Sequence, residues 1–304
     1  MKHVVSVSIG SSSRNHRYEA EILGEPVLIE RIGTDGDIDK AIKLMQELDG
    51  KVDAFGMGGI DIWLFSGTRR YAFRDAKRIL AAVRHTPILD GSGLKNSLEA
   101  WVVNYIDSDG GIPLKGKRVM MTASVDRNGM TKALNALGCQ MLYGDLGFGV
   151  GLPIKIQSPK VMDVVAGMLL PLFVQLPFKW LYPTGEKQLD STPRYGGWFA
   201  WADVIAGDFL YIWRYMPERL DGKIIITNTV TPENVSELKK RGVAYLVTTT
   251  PNLGGRSFGT NVIEAVLVAV SGKRPEELNG DDYLRLMRDV GFTPRIEQLN
   301  GRTA

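Results

Sequence analysis

Three turns in the first hundred residues combine glycine with hydrogen-bonding side chains: SIGSSSRNH, GMGGIDI and LDGSGLKNS. Each follows a short apolar run that predicts a strand. Glycine lets the backbone approach a ligand closely, and hydroxyl, amide and charged groups can then bind a polyol or a carboxylate. The candidate substrate-binding residues of these turns are Ser11, Ser12, Arg14 and Asn96, with His16 and Asp61 as further hydrogen-bonding groups.

Lys95 is the candidate catalytic residue of the third turn. It stands at the start of a predicted helix, where the helix dipole opposes its charge, so its pKa is expected to fall. Such a lysine can act as a general acid or base, and Asp90, five residues earlier, is a possible orienting partner. The alternative is a solvated surface lysine, which is the commonest environment of this residue type.

The stretch SVDRNGM, residues 124–130, lies between the apolar run VMMTA and the helical run TKALNALG. Aligned with the dinucleotide-binding pattern G-x-G-x-x-G, its special positions are Ser124, Asp126 and Gly129, so only the last glycine is kept. Asp145 ends the next predicted strand 21 residues after Ser124, where an acid binds the ribose 2′-hydroxyl group. An acid at that place selects NAD over NADP, because it would repel a 2′-phosphate.

Asp126 is the unusual residue of this turn, because its charge opposes a phosphate group. One interpretation makes it only a helix N-cap that accepts backbone N–H groups. In the other, a ligand is bound: Arg127 offsets part of the repulsion by a charge-assisted contact, or Asp126 points away and binds a ribose or a substrate hydroxyl group.

Two later turns also follow predicted strands. WADVIAGDFLYIWRY places Gly207 and Asp208 before a run of aromatic residues, which suits either nicotinamide packing or a buried helix with core aromatics. TTTPNLGGRSFGTN combines Thr249, Arg256 and Asn261 at a strand end that leads into a helix. It predicts a polar pocket rim with an anion site at the helix N-terminus, or else a merely ordered turn.

The elements that carry these turns alternate between short apolar runs and runs of helical period, which predicts an α/β protein. A length of 304 residues favours two domains. The boundary is placed at DSDGGIP, giving a substrate domain over 1–110, a nucleotide-binding domain over 111–275 and a helical extension over 276–304. The second domain is expected to be a Rossmann-like, doubly wound, mostly parallel sheet.

Composition excludes several classes of protein. The 37 Lys and Arg residues against 34 acidic residues give a net charge of +3, which is too small and dispersed to predict binding to nucleic acid or to an anionic membrane. The single cysteine, Cys139, excludes intrachain disulfides and a cysteine zinc cluster, and the three histidines show no metal-binding spacing. The N-terminus shows no secretory core, so a cytoplasmic location is expected.

Residues 161–183, VMDVVAGMLLPLFVQLPFKWLYP, are strongly apolar but are interrupted by Asp163, Pro171, Pro177 and Lys179. These interruptions argue against a membrane span, which needs about 20 apolar residues. The segment is expected to be a buried helix, a lid or a subunit interface, so a homo-oligomer through 161–183 is possible.

Several strings resemble a bacterial family described as quinate or shikimate 5-dehydrogenases: IERIGTDGD, VDAFGMGGID, ILDGSGLKN, SVDRNGM, WLYPTGEKQ, ADVIAGD and TTTPNLGGRSFGTN. The resemblance covers nearly the whole chain. It implies an N-terminal substrate domain, a C-terminal NAD(P) domain and a catalytic Lys95, with Asp107 or Asp109 as rivals to Asp90 for the partner of that lysine. The chain lacks the glycine-rich GAGG turn of true shikimate dehydrogenases and their Asn-Arg pair after the second strand.

These residues together predict an enzyme that oxidises a secondary alcohol of a cyclic polyol acid with NAD. Lys95 would remove the hydroxyl proton as hydride leaves for the nicotinamide, and Ser11, Ser12 or Arg14 would hold the carboxylate. Two alternatives come from other classes: a binding protein that senses a nucleotide or a small acid, and a non-redox enzyme that holds a phosphate or sugar at SVDRNGM.

Overall fold

The computed structural model describes residues 1–66, 69–177, 191–250, 252–253, 256–257 and 259–301. The chain divides into two compact units, each built from separate segments. The first contains Met1–Ser97, Leu169–Gln188 and Gly259–Phe292, and the second contains Leu98–Met168, Leu189–Phe258 and Thr293–Ala304. Among the described residues, no helix is both long enough and apolar enough to cross a membrane.

The first unit is built on a five-stranded sheet in the order β2-β3-β1-β4-β7. All neighbouring strands are parallel except β2, which runs antiparallel to β3. The run VVSVS of the first strand is buried at every position, as expected for a strand inside a parallel sheet. The strands are β1 (Lys2–Ser8), β2 (His16–Ile22), β3 (Glu25–Gly33), β4 (Ala54–Gly58) and β7 (Ile88–Leu89). Separately, β5 (Trp63–Ser66) pairs antiparallel with β6 (Arg69–Ala72).

The second unit is built on a six-stranded sheet in the order β15-β12-β11-β10-β8-β9. Only β15 is antiparallel to its neighbour. The chain therefore reverses its direction of winding at β8, which confirms the predicted α/β class with a doubly wound, mostly parallel sheet. The strands are β8 (Arg118–Met121), β9 (Gln140–Tyr143), β10 (Val204–Ala206), β11 (Ile224–Thr227), β12 (Tyr245–Thr248) and β15 (Arg295–Gln298), and β13 (Asn252–Leu253) pairs with β14 (Arg256–Ser257).

Helices connect these strands, and their ends follow local sequence signals. Thr231 caps one helix through a reciprocal pair of hydrogen bonds with Asn234, and Gly242, at φ +85°, follows the end of the same helix. The helices are α1 (Ile38–Leu48), α2 (Arg74–Ala82), α3 (Ser92–Asp107), α4 (Asn128–Ala136), α5 (Asp145–Val150), α6 (Pro159–Phe173), α7 (Gly196–Trp201), α8 (Phe209–Tyr215), α9 (Pro232–Lys240), α10 (Thr260–Ser271) and α11 (Gly280–Asp289).

The division into units differs from the predicted segments 1–110, 111–275 and 276–304. It falls inside α3, between Ser97 and Leu98, whereas the predicted boundary region DSDGGIP begins where that helix ends, at Asp107. Helix α10, expected to close the second domain, packs instead on β4 and β1 of the first sheet. The predicted helical extension contains α11 of the first unit, but it also contains β15, which pairs with β12 of the second sheet.

The aromatic run at 209–215 belongs to the core of the second unit. Phe209, Ile212 and Tyr215 are buried in one cluster with Phe148 and Trp198. Phe148 contacts Tyr215 and Trp198 at ring-centroid distances of 5.5 and 5.8 Å. The run therefore packs as core aromatics, one of the two alternatives that the sequence left open.

Helix α6 covers the first part of the apolar segment 161–183. One row of its side chains is buried and includes Met162, Ala166 and Leu170. A second row, called here the α6 apolar row, is exposed: Val161 (51%), Val164 (59%), Met168 (62%) and Leu172 (69%). The expectation of a helix buried within a single chain is therefore wrong for this row, and residues 178–183 of the segment lie outside the described residues.

Candidate functional site

The carboxyl end of the first sheet brings four glycine-bearing turns together, because β1, β3, β4 and β7 are parallel and end at the same edge. Backbone hydrogen bonds join the turns: Ile9 N–H donates to Gly58 O over 2.9 Å, and Asp35 N–H donates to Gly10 O over 3.1 Å. Gly59 has φ +79°, and a Cβ atom there would lie 3.1 Å from Gly10 N. This close approach needs glycine, and the four turns together form a polar edge.

Lys95 lies at this edge, in the first turn of α3, and is 6% exposed. Its Nζ atom lies 3.0 Å from Oδ1 of Asp61, in the loop after β4. The two side chains are 8% and 18% exposed, so the ion pair is largely removed from water. The alternative of a solvated surface lysine is therefore wrong, while the predicted fall in the Lys95 pKa stays a prediction.

Asp61 is a carboxylate partner of Lys95 that the sequence analysis did not name as one. Asp90 Oδ2 accepts hydrogen bonds from the backbone N–H groups of Ile62 (2.8 Å) and Trp63 (3.0 Å). Its Oδ1 accepts from Ser92 N–H over 3.0 Å. Asp90 thus fixes both the segment that carries Asp61 and the start of α3, and so orients the pair indirectly.

The assignment of Asp107 as the partner of Lys95 is corrected by the structure. Asp107 is the last residue of α3, and its Oδ1 accepts hydrogen bonds from the backbone N–H groups of Leu114 (2.6 Å) and Lys115 (3.2 Å). A carboxylate that satisfies backbone donors of the following loop stabilises that loop. The rival Asp109 lies close by and accepts from Ser108 Oγ over 3.2 Å.

The predicted substrate-binding residues separate into two groups. Ser11, Ser12 and Arg14 follow β1 at the polar edge, where Ser12 N–H donates to Asp35 Oδ1 over 2.6 Å, and Asn96 is half-buried beside Lys95 in α3. Asn261 contacts the sheet from α10: its Nδ2 donates to Ser6 Oγ of β1 over 3.2 Å, and its backbone N lies against the turn at Gly91. Its expected role at a pocket rim stays a prediction, and the side chain of Arg256 lies outside the described residues.

In the second unit, the turn after β8 holds a buried arginine rather than an open phosphate site. Arg127 is 4% exposed, and its guanidinium group is paired with three carboxylates. Nη1 pairs with Glu99, Nη2 lies 2.9 Å from Asp208 Oδ2, and Nε lies 3.1 Å from Asp126 Oδ2. Burial by itself lowers the pKa of the guanidinium, but Glu99, Asp126 and Asp208 outweigh it, and the pKa is raised well above its ordinary value.

This cluster bears on one of the two interpretations of Asp126, that of a helix N-cap. Helix α4 has Arg127 as its N-cap and no capping side chain, so Asp126 is not the helix N-cap. It pairs with Arg127 instead, and its side chain keeps 19% exposure. Gly129, the one glycine that the dinucleotide pattern shares with this turn, is buried in the first turn of α4.

Asp145 contacts the same turn from the start of α5, just after β9. Its Oδ2 accepts a hydrogen bond from Ser124 Oγ over 2.6 Å, and its Oδ1 accepts from Val125 N–H over 3.0 Å. Burial raises the pKa of Asp145, while the bonds from Ser124 and Val125 oppose that rise. The carboxylate that was expected to bind a ribose therefore accepts hydrogen bonds from residues of the turn itself.

Gly207, Asp208 and Thr249 complete the carboxyl edge of the second sheet. Gly207 has φ +128°, and Asp208 caps α8 by accepting from Leu210 N–H over 2.9 Å. Asp208 also accepts from Asn228 Nδ2 over 3.0 Å. Thr249 is fully buried, and its N–H donates to Thr227 O over 2.8 Å. All three residues thus stabilise the turns that follow the strands of the second sheet.

A dinucleotide diphosphate does not fit the turn at 124–130. Such a group needs free backbone donors and a positive field at the helix N-terminus. Here the N–H of Val125 already donates to Asp145, and the charge of Arg127 is shared among Glu99, Asp126 and Asp208. With three carboxylates and one guanidinium group, the cluster carries a net negative charge, which opposes the binding of a diphosphate.

In the described part of the chain, no group of three or more His, Cys, Asp or Glu side chains could hold a metal ion.

Sequence reasoning named Asp61 only as a hydrogen-bonding group and missed Glu99 and Glu264. Glu264 carried a signal, because it is the one charged residue inside the apolar run VIEAVLVAV. A charged residue in such a run is buried and needs partners from other elements.

The chain belongs to the family described as a domain of unknown function (DUF8754), whose model matches residues 93–299. A second model, also a domain of unknown function (DUF8753), matches residues 3–90. The two models meet between the strand β7 and the start of α3, at the turn that carries Asp90. No curated protein matches the sequence.

Solved structures resemble the chain only distantly. A glutamate dehydrogenase from Thermus thermophilus is 14% identical, with a TM-score of 0.43, over 95% of this chain and 74% of that one. The glucose-galactose binding protein GanP from Geobacillus stearothermophilus is 10% identical, with a TM-score of 0.37, over 98% and 97%. A sugar ABC transport substrate-binding protein from Bordetella parapertussis is 11% identical, with a TM-score of 0.37, over 91% and 81%. Similarity at this level carries no argument about ligand or activity, and the resemblance to quinate or shikimate dehydrogenases stays a prediction.

Proposed function

We propose that this protein binds a small polyhydroxylated acid at the carboxyl edge of the first sheet and transfers a proton at one of its hydroxyl groups. Lys95 is the general acid–base group, and Asp61 is its orienting partner. The observation that carries the proposal is the ion pair itself, 3.0 Å long and largely buried at a strand-end edge of glycine-bearing turns. Polar groups gathered at such an edge are the usual setting of a ligand site.

The chemistry follows from the position of the pair. In its amine form, Lys95 accepts the proton of a ligand hydroxyl group at Nζ and becomes an ammonium ion. The carboxylate of Asp61, 3.0 Å away, stabilises that ammonium ion, and partial burial strengthens the attraction. The serines after β1 and the half-buried Asn96 supply hydrogen-bonding groups for the other hydroxyls and the carboxylate of the ligand.

Oxidation of a secondary alcohol is the reaction that we propose for this pair. A hydroxyl group that gives its proton to Lys95 can release hydride from the carbon that bears it, which leaves a ketone. The acceptor expected from the sequence is oxidised NAD, which would take up that hydride and be reduced when bound. Because the turn at 124–130 does not fit a diphosphate, we assign no residue of that turn a role in hydride transfer.

The test compares the wild type with Lys95→Met and Asp61→Asn. Quinate, shikimate and related polyol acids are offered with NAD or NADP, binding is measured by calorimetry, and reduced nicotinamide is followed by absorbance. We expect Lys95→Met to lose turnover by about 10²- to 10⁴-fold, the usual contribution of a general acid or base, while polyol acid binding weakens less. Lys40→Met, at an exposed lysine of α1, is the matched control and should leave both unchanged.

Two outcomes would overturn the proposal. One is a wild-type protein that binds none of these polyol acids. The other is a Lys95→Met protein that turns substrate over as fast as the wild type. Binding of a polyol acid without reduction of either nicotinamide would overturn the oxidation step, and it would favour the alternative of a binding protein.

A further inference from the structure

We propose that Glu264 is a positioning residue for Lys95: as a neutral carboxylic acid it holds the turn at 91–93 against α10, and its ionisation loosens that turn. The inference rests on the proposed function for its catalytic consequence. Its structural part, the coupling of one buried acid to the first turn of α3, stands on contacts within the first unit.

Glu264 occupies a site where a charge is unfavourable. It lies in the apolar run of α10 and is 3% exposed. Its Oε1 accepts a hydrogen bond from the hydroxyl group of Tyr283 in α11, over 3.1 Å. Its Oε2 is buried and makes no hydrogen bond among the described residues. A carboxylate with one oxygen in this state is destabilised, so the site favours the protonated acid.

The turn that follows β7 packs directly against this acid. A side chain at Gly93 would collide with Glu264 Oε1 and would lie 3.2 Å from the ring of Tyr283. Gly91 has φ +91°, and a Cβ atom there would lie 2.8 Å from Asn261 N in α10. Both glycines pack tightly against α10, so they cannot shift unless the whole turn moves. A change in the packing of Glu264 therefore affects residues 91–93.

The same turn supports Lys95. Lys95 N–H donates to Gly91 O over 2.7 Å, the first hydrogen bond of α3. Asp90 fixes the other side of the turn by accepting from Ser92 N–H over 3.0 Å. Two contacts therefore link Glu264 to Lys95. The first is the packing of Glu264 against the turn at 91–93, and the second is the hydrogen bond from Lys95 N–H to Gly91 O.

The electrostatics set the pH range of the effect. Burial raises the pKa of Glu264 to about 8, and the charge of Asp90 adds to the rise. The Tyr283 hydroxyl and the backbone of Gly91 and Gly93 oppose the rise, but burial is the largest cause, so ionisation destabilises the closed packing around Glu264 despite these hydrogen bonds. Burial likewise raises the pKa of Tyr283, with Glu264 as the next cause, so the hydroxyl keeps its proton while Glu264 ionises. The folded pKa of Glu264 lies above its unfolded value, so the stabilisation present below pH 4.5 is lost as the pH rises through about 8.

The experiment measures amide hydrogen exchange at residues 91–95 between pH 6 and 9.5, corrected for the intrinsic rise of exchange with pH, in the wild type and in Glu264→Gln. Glutamine keeps the size and the neutral charge of the acid. We expect the wild type to lose protection at Lys95 N–H as the pH passes about 8, the pKa of Glu264, while Glu264→Gln keeps it. Ala41 N–H in α1 is the internal control and should behave alike in both proteins.

A second variant, Tyr283→Phe, removes a group that lowers the Glu264 pKa, so the loss of protection should move to higher pH. If turnover is found, the alkaline limb of kcat/KM should move in the same direction in both variants. Identical exchange profiles in the wild type and Glu264→Gln would overturn the inference. Because exchange needs no substrate, that failure is separate from failure of the proposed function, which the Lys95→Met comparison tests.

Discussion

Replacement of Arg127 by methionine tests the buried ion-pair cluster of the second unit. Methionine keeps much of the length of the side chain but removes its charge and its donors. Glu99, which is fully buried, then loses its cation, and Asp126 and Asp208 lose theirs. Removing one partner of a buried pair costs about 3–5 kcal/mol, because it leaves an uncompensated buried charge. We expect the free energy of unfolding to fall by that amount at pH 7.

The measurement is urea unfolding followed by tryptophan fluorescence, with the free energy of unfolding obtained by linear extrapolation. The double variant Arg127→Met with Glu99→Gln should recover part of the loss, because the orphaned buried charge is removed as well. Arg219→Met is the matched control: Arg219 is 82% exposed in its pair with Asp221, and exposed pairs contribute little.

The loss should also depend on pH. Without Arg127, the buried carboxyl of Glu99 takes up a proton more readily, so acid should reduce the difference between variant and wild type. A loss below about 1 kcal/mol, the range of exposed ion pairs, would refute the reasoning. So would a large loss that is the same at pH 5 and pH 8, because it would point to packing rather than charge.

Two further changes test the turns and the exposed helix. Gly207→Ala should lower the melting temperature, because Gly207 has φ +128° and an added Cβ atom would collide with the hydroxyl group of Thr122. Unfavourable backbone conformations of this kind cost about 1–3 kcal/mol. An unchanged melting curve would contradict the close approach. Substitution of Val164 and Met168 by glutamine should abolish self-association, measured by sedimentation velocity. The reason is that an exposed apolar row of this kind marks an interface in soluble proteins. A wild type that stays monomeric at every concentration would contradict this prediction.

The sequence by itself determined the elements and the place of the polar turns. Apolar runs such as HVVSVSIG and helical runs such as IDKAIKLMQEL have periods that only one backbone conformation can bury, and both formed as predicted. Because parallel strands end at a common edge, the glycine turns after β1, β4 and β7 meet there, as their sequence position implies. The cap at Thr231 is local in the same way, since its partner lies three residues away.

Only the tertiary structure decided which charged groups meet. Asp61 and Lys95 are 34 residues apart, and Arg127 and Asp208 are 81 apart. No local period encodes such pairs. The return of α10 to the first sheet likewise depends on Gly56, where the helix approaches so closely that a Cβ atom would lie 3.0 Å from Asn261 Nδ2. The hydrophobic pattern of an element predicts that one of its faces is buried, but it does not identify the element against which that face packs. The charge state of a group depends on its burial and on its charged neighbours, and both are set by the fold.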